Sequence, residues 1–436
     1  MEKLIFAEAN GRELNFTDKI FGISSKAQEM AKREGADKVI NATIGALLDD
    51  RGNLIVFDAV DKALRALKAE DFAAYAPLSG IPEYLEVIKK YAFGSHMPNM
   101  YIAASATPGG AGTIRNAIVN YSKRDETVIT SDWYWAAYKT LVTENYRKLD
   151  TYKLLDENGK YNIEAFAECV DKYMKLQDSL LIIINTPAHN PTGFSLTGED
   201  WKKVIDICEK YAALGKKVTI FVDAAYIDFT EDPDEARAFF DLFENISDNL
   251  LVLVGYSASK SFTLYGMRCG ALICMTNNEE ICEEFKNVTA FSGRGTWSNG
   301  TRSAQQVLVN MYNDRTMKEA VDKERDASRK MLLARGKAFE EAARECGLEM
   351  LPYDSGFFVS VPCSAPDAVG ELLQKEGIFV VPLAMGLRVA LSAVSEEKCR
   401  IVAPAIKKAM DEVMNKFHKI SEQMYQQAQA EQQANA

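Results

Sequence analysis

A lysine that follows an apolar segment is the first residue of this sequence whose position suggests chemistry. Lys260 comes shortly after the apolar run 250–256. An amine at the end of a buried strand is poorly solvated, which lowers the pKa of a lysine and makes it nucleophilic toward aldehydes. The hydroxyls of Ser257 and Ser259, together with Arg268, could bind a phosphate. A single lysine in such a place is more often a solvated loop residue, so other motifs must support it.

An acid and an amide also lie at the ends of predicted strands. Asp223 ends the apolar run 217–223, at the edge where open α/β sheets bind ligands, although a lone aspartate there often caps a helix instead. Asn190 precedes a proline in a turn that follows the run 180–185. We therefore expect both side chains at the same sheet edge as Lys260.

A glycine-rich segment, residues 107–113, precedes a helical pattern. Backbone amides at a helix N-terminus can hold a phosphate, and Gly109 and Gly110 would let the phosphate approach closely. The segment is not a P-loop, and a dinucleotide fingerprint would require a glycine at Arg115. Taken alone, such a segment is more often a simple turn.

The four motifs are more informative together than singly, because each follows a predicted strand. They supply a Schiff-base lysine, an anion for a pyridine nitrogen, a donor to a ring oxygen and a phosphate-binding segment. Pyridoxal phosphate requires these groups of its protein.

The elements that must position these residues alternate along the chain. Short apolar runs predict buried strands at 127–130, 180–185, 217–223, 250–256 and 270–275. Helical patterns, such as 198–214, lie between them. This alternation predicts a doubly wound, mostly parallel α/β sheet over most of residues 50–310.

After about residue 310 the pattern changes. A charged amphipathic stretch, 317–346, predicts one long helix or two. We expect strands at 356–361, 378–381 and 387–391, and helices near 366–376 and 395–419. The predicted organisation is an N-terminal arm and part of the small domain at 1–48, a large cofactor domain at 49–320, and a smaller α+β domain at 321–436. The Gln- and Ala-rich tail from 421 is expected to fray.

Composition and charge exclude several classes of protein. Of the 436 residues, 47% are hydrophobic and 26% charged, as in ordinary globular chains. The net charge of -11 argues against a nucleic-acid scaffold. The first residues lack the apolar region of a signal peptide, and no apolar run is long enough to span a bilayer. The eight cysteines are scattered and suggest neither disulfides nor a metal site. We expect a cytoplasmic protein without nucleic-acid or membrane partners.

The sequence resembles the fold-type I pyridoxal-phosphate aminotransferases of class I, and most closely their aspartate/aromatic branch. The matching stretches run from INATIGALLDDRGNLIVFDAV (40–60) to LRVALSAV (387–394) and cover most of the chain. The pair AHNPTGFS (188–195) and YSASKSFTLYGMRCG (256–270) is the most specific part. The resemblance implies a seven-stranded-type sheet, a smaller domain made from both chain ends, and pyridoxal 5'-phosphate as cofactor.

The resemblance also implies roles for residues around the cofactor ring. Lys260 would bind the cofactor covalently and move the α-proton of the substrate. Asp223 would pair with the pyridine nitrogen, while Asn190 and Tyr226 would bind the ring's phenolic oxygen. Trp135 would stack on the ring, and it and Asn190 would also contact the substrate.

The phosphate group would have its own set of residues, one of which comes from a second subunit. The implied phosphate-binding residues are Gly109, Gly110, Ala111, Ser257, Ser259, Arg268 and, across a homodimer interface, Tyr75. The family commonly has a hydroxyl where this chain has Ala111. That hydrogen bond would be lost or supplied by another residue such as Thr113.

Two arginines would bind the substrate. Arg388 resembles the bidentate partner of the α-carboxylate, and Gly45 would let the backbone approach that carboxylate. Arg294, in RGTWSN (294–299), resembles the arginine that binds the side-chain carboxylate of aspartate or glutamate from the other subunit. Two residues depart from the pattern of strictly aspartate-specific enzymes: Tyr138 stands where aspartate enzymes often have histidine, and Trp297 adds bulk near Arg294.

These features predict an amino-acid transaminase that acts by a ping-pong Schiff-base mechanism. The expected reaction converts L-aspartate and 2-oxoglutarate to oxaloacetate and L-glutamate in a homodimer with shared active sites. An aromatic or broad-specificity aminotransferase is the first alternative, and a pyridoxal-phosphate lyase the second. A cofactor-binding sensor domain is a non-enzyme alternative. Regulators of that kind carry an N-terminal helix-turn-helix, which this sequence does not show.

Overall fold

The computed structural model describes residues 4–8, 11–12 and 18–434. Within these residues the chain divides into two units. The larger unit consists of Leu54–Leu333, Pro352–Phe357 and the described residues before 17. The smaller unit consists of Ala334–Leu351 and the described parts of Thr17–Asn53 and Phe358–Ala436.

The strands of the described chain are short in the smaller unit and longer in the larger one. In chain order they are β1 (Ile40–Asn41), β2 (Tyr101–Thr107), β3 (Thr127–Ser131), β4 (Lys148–Tyr152), β5 (Ser179–Asn185), β6 (Lys217–Asp223), β7 (Leu250–Ser257), β8 (Gly270–Thr276), β9 (Phe358–Pro362), β10 (Ile378–Phe379), β11 (Val381–Pro382) and β12 (Gly386–Ala390).

Helices alternate with these strands. In chain order they are α1 (Lys19–Glu34), α2 (Asp58–Arg65), α3 (Ala69–Ala73), α4 (Pro82–Phe93), α5 (Gly109–Tyr121), α6 (Ala137–Glu144), α7 (Ile163–Leu176), α8 (Gly198–Ala212), α9 (Ala258–Ser261), α10 (Glu279–Arg294), α11 (Arg302–Asn313), α12 (Arg315–Cys346), α13 (Pro366–Lys375) and α14 (Glu396–Ala434).

A seven-stranded sheet forms the centre of the larger unit, in the order β2-β8-β7-β6-β5-β3-β4. The strands from β7 to β4 are parallel, whereas β8 runs antiparallel to both β7 and β2. Nearly every residue of β5, β6 and β7 is buried, because these strands are apolar on both faces. The predicted α/β fold with a mostly parallel sheet is confirmed.

Two strands of this sheet were not predicted from the sequence. β2 is rich in alanine, whose strand preference is weak, and β4 is a polar edge strand with the sequence KLDTY. Neither carries the aliphatic run that marks the central strands. By contrast, α8 begins as predicted, because Thr197 and Asp200 form a capping box at its first turn.

The smaller unit contains two small sheets. β1 pairs in parallel with β10, and β12 lies antiparallel between β11 and β9. The stretch predicted as one helix or two is one helix, α12, whose residues through Leu333 belong to the larger unit. The domain limits predicted at residues 48 and 320 therefore differ from the limits of these units.

The last helix is longer than predicted. α14 extends to Ala434, whereas the apolar pattern ended near residue 419. Gln, Ala, Glu and Met favour helix without tertiary contacts, so the helix continues where the apolar pattern stops. No helix among residues 4–8, 11–12 and 18–434 is both long and apolar enough to cross a membrane.

Candidate active site

The carboxyl ends of the three central parallel strands lie side by side. Asn185 at the end of β5 pairs in register with Asp223 at the end of β6, and Asp223 pairs with Gly255 of β7. Ligands of open α/β sheets bind at this edge. The structure thus brings the predicted Asp223 and the segment that carries Lys260 to one edge of the sheet.

Asp223 is buried and hydrogen-bonded through both carboxylate oxygens. The Tyr138 hydroxyl donates to Oδ2 at 2.5 Å, and the backbone N–H of Ala225 donates to Oδ1 at 3.3 Å. Burial raises the pKa of Asp223 to about 6, although both hydrogen bonds act in the opposite direction. The phenol itself is fully buried, and burial raises the pKa of Tyr138 well above its usual value. A neutral donor therefore faces this carboxylate at physiological pH.

A short chain of amide contacts joins Asn190 to the same edge. Asn185 accepts from the backbone N–H of Asn190 at 2.6 Å, and its amide donates to the Asp223 carbonyl at 2.8 Å. The Asn190 amide donates to the Tyr226 hydroxyl at 3.4 Å. The predicted Asn190 and Tyr226 are therefore in contact. Asn185 was missed, although a polar residue at the end of an aliphatic strand is a usable signal.

Lys260 lies on the four-residue helix α9, which directly follows β7. Its Nζ lies 4.7 Å from the ring centroid of Tyr265, 5.7 Å from that of Phe357 and 5.8 Å from that of Tyr226. Aromatic faces exclude water from the amine and can stabilise its charged form. Tyr265 belongs to the motif that predicted Lys260, whereas no sequence signal marked Phe357.

The residues predicted to bind phosphate, apart from Tyr75, gather at the N-terminus of α5. Arg268 donates from Nη1 to the Ser259 hydroxyl at 3.1 Å. Gly109 has a φ of 68°, and a Cβ at this position would collide with the Arg268 guanidinium. A Cβ on Gly110 would lie 3.6 Å from Cβ of Ser257. Glycines, hydroxyls, a helix N-terminus and a guanidinium together form a suitable site for a phosphate.

Thr113, the predicted substitute for the hydroxyl that Ala111 lacks, makes a hydrogen bond within α5. Its hydroxyl donates to the carbonyl of Gly110 at 2.6 Å.

Trp135 contacts the residue that holds Asp223. Its ring packs edge-on against Tyr138, with 5.8 Å between the ring centroids. The backbone N–H of Tyr138 donates to the Trp135 carbonyl at 2.8 Å. One segment therefore carries both the predicted stacking residue and the donor to Asp223.

Tyr75 and Arg294 are exposed in the single chain. Tyr75 is 87% exposed, and its carbonyl accepts from Arg302 at 3.3 Å. Arg294 ends α10 and donates from Nη1 to the Ser298 hydroxyl at 2.6 Å. The contacts of these two residues are thus separate from the cluster around Asp223.

The smaller unit holds Arg388 and Gly45. Arg388, on β12, is buried and donates from Nη2 to the Thr43 carbonyl at 2.6 Å. Its guanidinium lies 4.4 Å from the ring centroid of Phe358. A Cβ at Gly45 would lie 2.5 Å from the same ring. Glycine at this position therefore leaves room for the ring on which Arg388 stacks.

The chain matches the family described as aminotransferase class I and II over residues 37–406. It belongs to that family. An aminotransferase structure from Anaerococcus prevotii superposes with a TM-score of 0.91 and 36% sequence identity, over 93% of this chain and 100% of that chain. The predicted recognition as a fold-type I aminotransferase is confirmed.

Curated relatives have both aspartate and aromatic names. An aspartate aminotransferase from Pseudomonas aeruginosa is 26% identical over 384 residues, which cover 84% of this chain and 92% of the relative. An aromatic-amino-acid aminotransferase from the same organism is 25% identical over 356 residues, which cover 79% of this chain and 86% of the relative. Relatives named for aspartate and for aromatic amino acids thus match this chain at similar identity.

The predicted cofactor is also confirmed, since this family uses pyridoxal phosphate. The residues fit this cofactor, because they provide an amine at the sheet edge and a buried carboxylate with a neutral phenol donor. They also provide a phosphate site in which a glycine lies so near a guanidinium that an added Cβ would collide with it.

Proposed function

We propose that this aminotransferase moves the amino group of L-aspartate to 2-oxoglutarate, giving oxaloacetate and L-glutamate. The observation that carries the choice of a dicarboxylate substrate is Arg294. Its side chain is exposed at the end of α10, with the Ser298 hydroxyl at 2.6 Å from Nη1. A guanidinium available at the surface can pair with the side-chain carboxylate of aspartate or glutamate.

Pyridoxal phosphate, when bound, accepts an amino group and withdraws electrons from the α-carbon of an amino acid. In our proposal the Lys260 amine takes the proton from that carbon and returns it. General acid–base catalysis of this kind needs an amine shielded from bulk water, and three aromatic rings surround Nζ.

Asp223 would hold the pyridine nitrogen of the cofactor protonated. Its carboxylate keeps its orientation because Tyr138 and the Ala225 N–H occupy one oxygen each. Asn190 and Tyr226 would bind the ring oxygen, and Trp135 would stack on the ring. The phosphate would bind at Gly109, Gly110, Ala111, Ser257, Ser259 and Arg268.

Arg388 would bind the α-carboxylate common to all amino acids, with Gly45 beside it. We further propose a cytoplasmic homodimer in which each subunit supplies Tyr75 and Arg294 to the other's site. The exposure of both side chains in the single chain supports this arrangement.

An aromatic or broad specificity is the second candidate. Tyr138 replaces the histidine frequent in aspartate enzymes, and relatives named for aromatic substrates match as well as those named for aspartate. These two observations favour a site that also accepts phenylalanine or tyrosine.

The effect of Arg294→Ala on two substrates tests the choice between a dicarboxylate specificity and an aromatic or broad one. Removal of a partner to a buried carboxylate costs a few kcal/mol, roughly a hundredfold in rate. We expect kcat/KM to fall by about that factor for aspartate and far less for phenylalanine. An equal fall for both substrates would refute the dicarboxylate assignment and leave the second candidate.

A further inference from the structure

A buried carboxylate that the proposed function does not use lies two residues after Tyr226. Asp228 is on the short helical turn Ile227–Phe229 and is 4% exposed. Arg237 donates from Nη2 to its Oδ1 at 2.6 Å, and the Tyr256 hydroxyl donates to its Oδ2 at 2.8 Å. Both partners are also buried. Burial of a carboxylate costs desolvation free energy, which its two donors must offset. This cost favours a functional reason for a carboxylate at this position.

Arg237 ties this carboxylate to a third element. It donates from Nε to the carbonyl of Ala92 at 2.9 Å and from Nη2 to that of Tyr91 at 3.0 Å. Both carbonyls lie in the last turn of α4, where helix carbonyls have no partner within the helix. The pair of Asp228 and Arg237 therefore connects the Tyr226 segment to the end of α4.

Tyr256 connects the same carboxylate to Lys260. Tyr256 and Ser257 end β7, and α9 with Lys260 follows at once. Phe262, which directly follows α9, packs against the Tyr91 ring with 4.8 Å between centroids, and the Arg325 guanidinium lies 5.6 Å from its ring. The segment that carries Lys260 is thus held from both of its ends by this group of residues.

The group is charged and borders a surface cleft. Burial alone would raise the pKa of Asp228, but Arg237 and Arg325 lower it below its usual value, so the carboxylate is ionised. A cavity of about 650 Å³ is lined by Tyr91, Asp228, Arg237 and Arg325, among others. Hydrogen bonds and charge therefore help to hold the segment where it borders this cleft.

We propose that Asp228 is a positioning residue for Lys260: its contact with Tyr256 fixes the end of β7, and with it the helix α9, relative to Tyr226. Asp228 acts through Tyr256 and does not touch the cofactor. This inference rests on the assignment of Lys260 under the proposed function. A misplacement of about 1 Å at a reacting group can cost roughly a hundredfold in rate, so the loss of one anchor can be measured.

The test is the rate at which Lys260 captures added pyridoxal phosphate. The full-length protein is freed of cofactor and mixed with pyridoxal phosphate, and the absorbance change is followed at increasing concentration. Tyr256→Phe removes only the hydroxyl that contacts Asp228, and Asp228→Asn removes the charge. The matched control is Tyr161→Phe, because Tyr161 is equally buried and its hydroxyl contacts Tyr152 at 3.0 Å.

We expect Tyr256→Phe to lower the maximum capture rate about tenfold, with little change in the concentration at half-saturation, because the phosphate site is intact. Asp228→Asn should be slower still, and Tyr161→Phe should match the wild type. Since Asp228→Asn leaves Arg237 buried without an anion and can fail to fold, Tyr256→Phe decides the question. A Tyr256→Phe rate equal to that of the wild type, or an equal loss in Tyr161→Phe, would overturn the inference.

Borohydride reduction of the wild type, followed by peptide mapping, separates the two proposals. Label on Lys260 with an unchanged Tyr256→Phe rate would refute the role of Asp228 alone. Label on another lysine would refute the assignment of Lys260, and the role of Asp228 with it.

Discussion

The hydrogen bond from Tyr138 to Asp223 leads to a prediction about the free energy of unfolding, which can be measured without substrate. Tyr138→Phe removes a hydroxyl that lies 2.5 Å from Oδ2 of Asp223 and leaves the buried ring in place. The carboxylate then loses a donor that favours its charged form. The pKa of Asp223, already about 6 because of burial, should rise further in the variant.

The magnitude follows from the kind of hydrogen bond. A hydrogen bond to a charged group contributes about 1.5–3 kcal/mol, and one to a neutral group about 1 kcal/mol. The variant should therefore lose about 1 kcal/mol where Asp223 is protonated and about 2 kcal/mol or more where it is ionised. The difference of about 1 kcal/mol raises the affinity of Asp223 for its proton roughly fivefold to tenfold.

The direction with pH follows from proton linkage. Because the pKa of Asp223 is raised in the folded protein, the folded state binds more protons than the unfolded state between its ordinary value of 3.8 and about 6. Protonation of Asp223 thus stabilises the folded state at low pH, and this stabilisation is lost as pH rises. In Tyr138→Phe the loss continues to higher pH, because the pKa of Asp223 is higher in the variant.

The assay is urea unfolding of the cofactor-free protein at about pH 5 and about pH 8. We expect Tyr138→Phe to cost about 1 kcal/mol more at the higher pH. Tyr161→Phe is the control, because its hydroxyl contacts the neutral Tyr152 hydroxyl and its cost should not change with pH. Equal costs of Tyr138→Phe at both pH values would show that the phenol does not stabilise an ionised Asp223.

Four further outcomes test the proposed roles. Lys260→Ala should fold but leave no cofactor to be trapped by borohydride, and trapping on another lysine would refute its role. Asp223→Ala should reduce proton abstraction far more than cofactor affinity, because the pyridine nitrogen loses its counter-ion; near wild-type turnover would remove Asp223 from the mechanism. Hybrid dimers of Lys260→Ala and Arg294→Ala subunits should regain one working site, whereas no recovery would place Arg294 outside the partner's site. Arg388→Ala should lower kcat/KM for aspartate and phenylalanine alike, by roughly a hundredfold, and an effect on aspartate alone would contradict its role.

The central strands could be predicted from the sequence because burial on both faces leaves a strong signal. β6 has the predicted limits, and β5 and β7 differ from prediction by one residue. The order of the sheet could not be derived this way, because β8 has the same aliphatic pattern as its parallel neighbours yet runs antiparallel to β7. The family resemblance implied a seven-stranded-type, mostly parallel sheet, but not the order of its strands.

Motif residues were easier to predict than the residues that support them. Lys260, Asp223 and Asn190 stand at strand ends, where position alone suggests a role. Tyr138 lies 85 residues before the carboxylate it contacts, and Arg237 reaches α4 across 145 residues. Contacts over such separations depend on the tertiary fold, so the local spacing of residues in the sequence does not predict them.

The most direct test of the proposed reaction follows the amino nitrogen itself. The protein is supplied with pyridoxal phosphate, 2-oxoglutarate and L-aspartate labelled at its amino nitrogen, and the products are analysed by mass spectrometry. The proposal predicts labelled L-glutamate together with an equal amount of oxaloacetate. Release of the label as ammonium, or labelled glutamate formed from phenylalanine and not from aspartate, would contradict it.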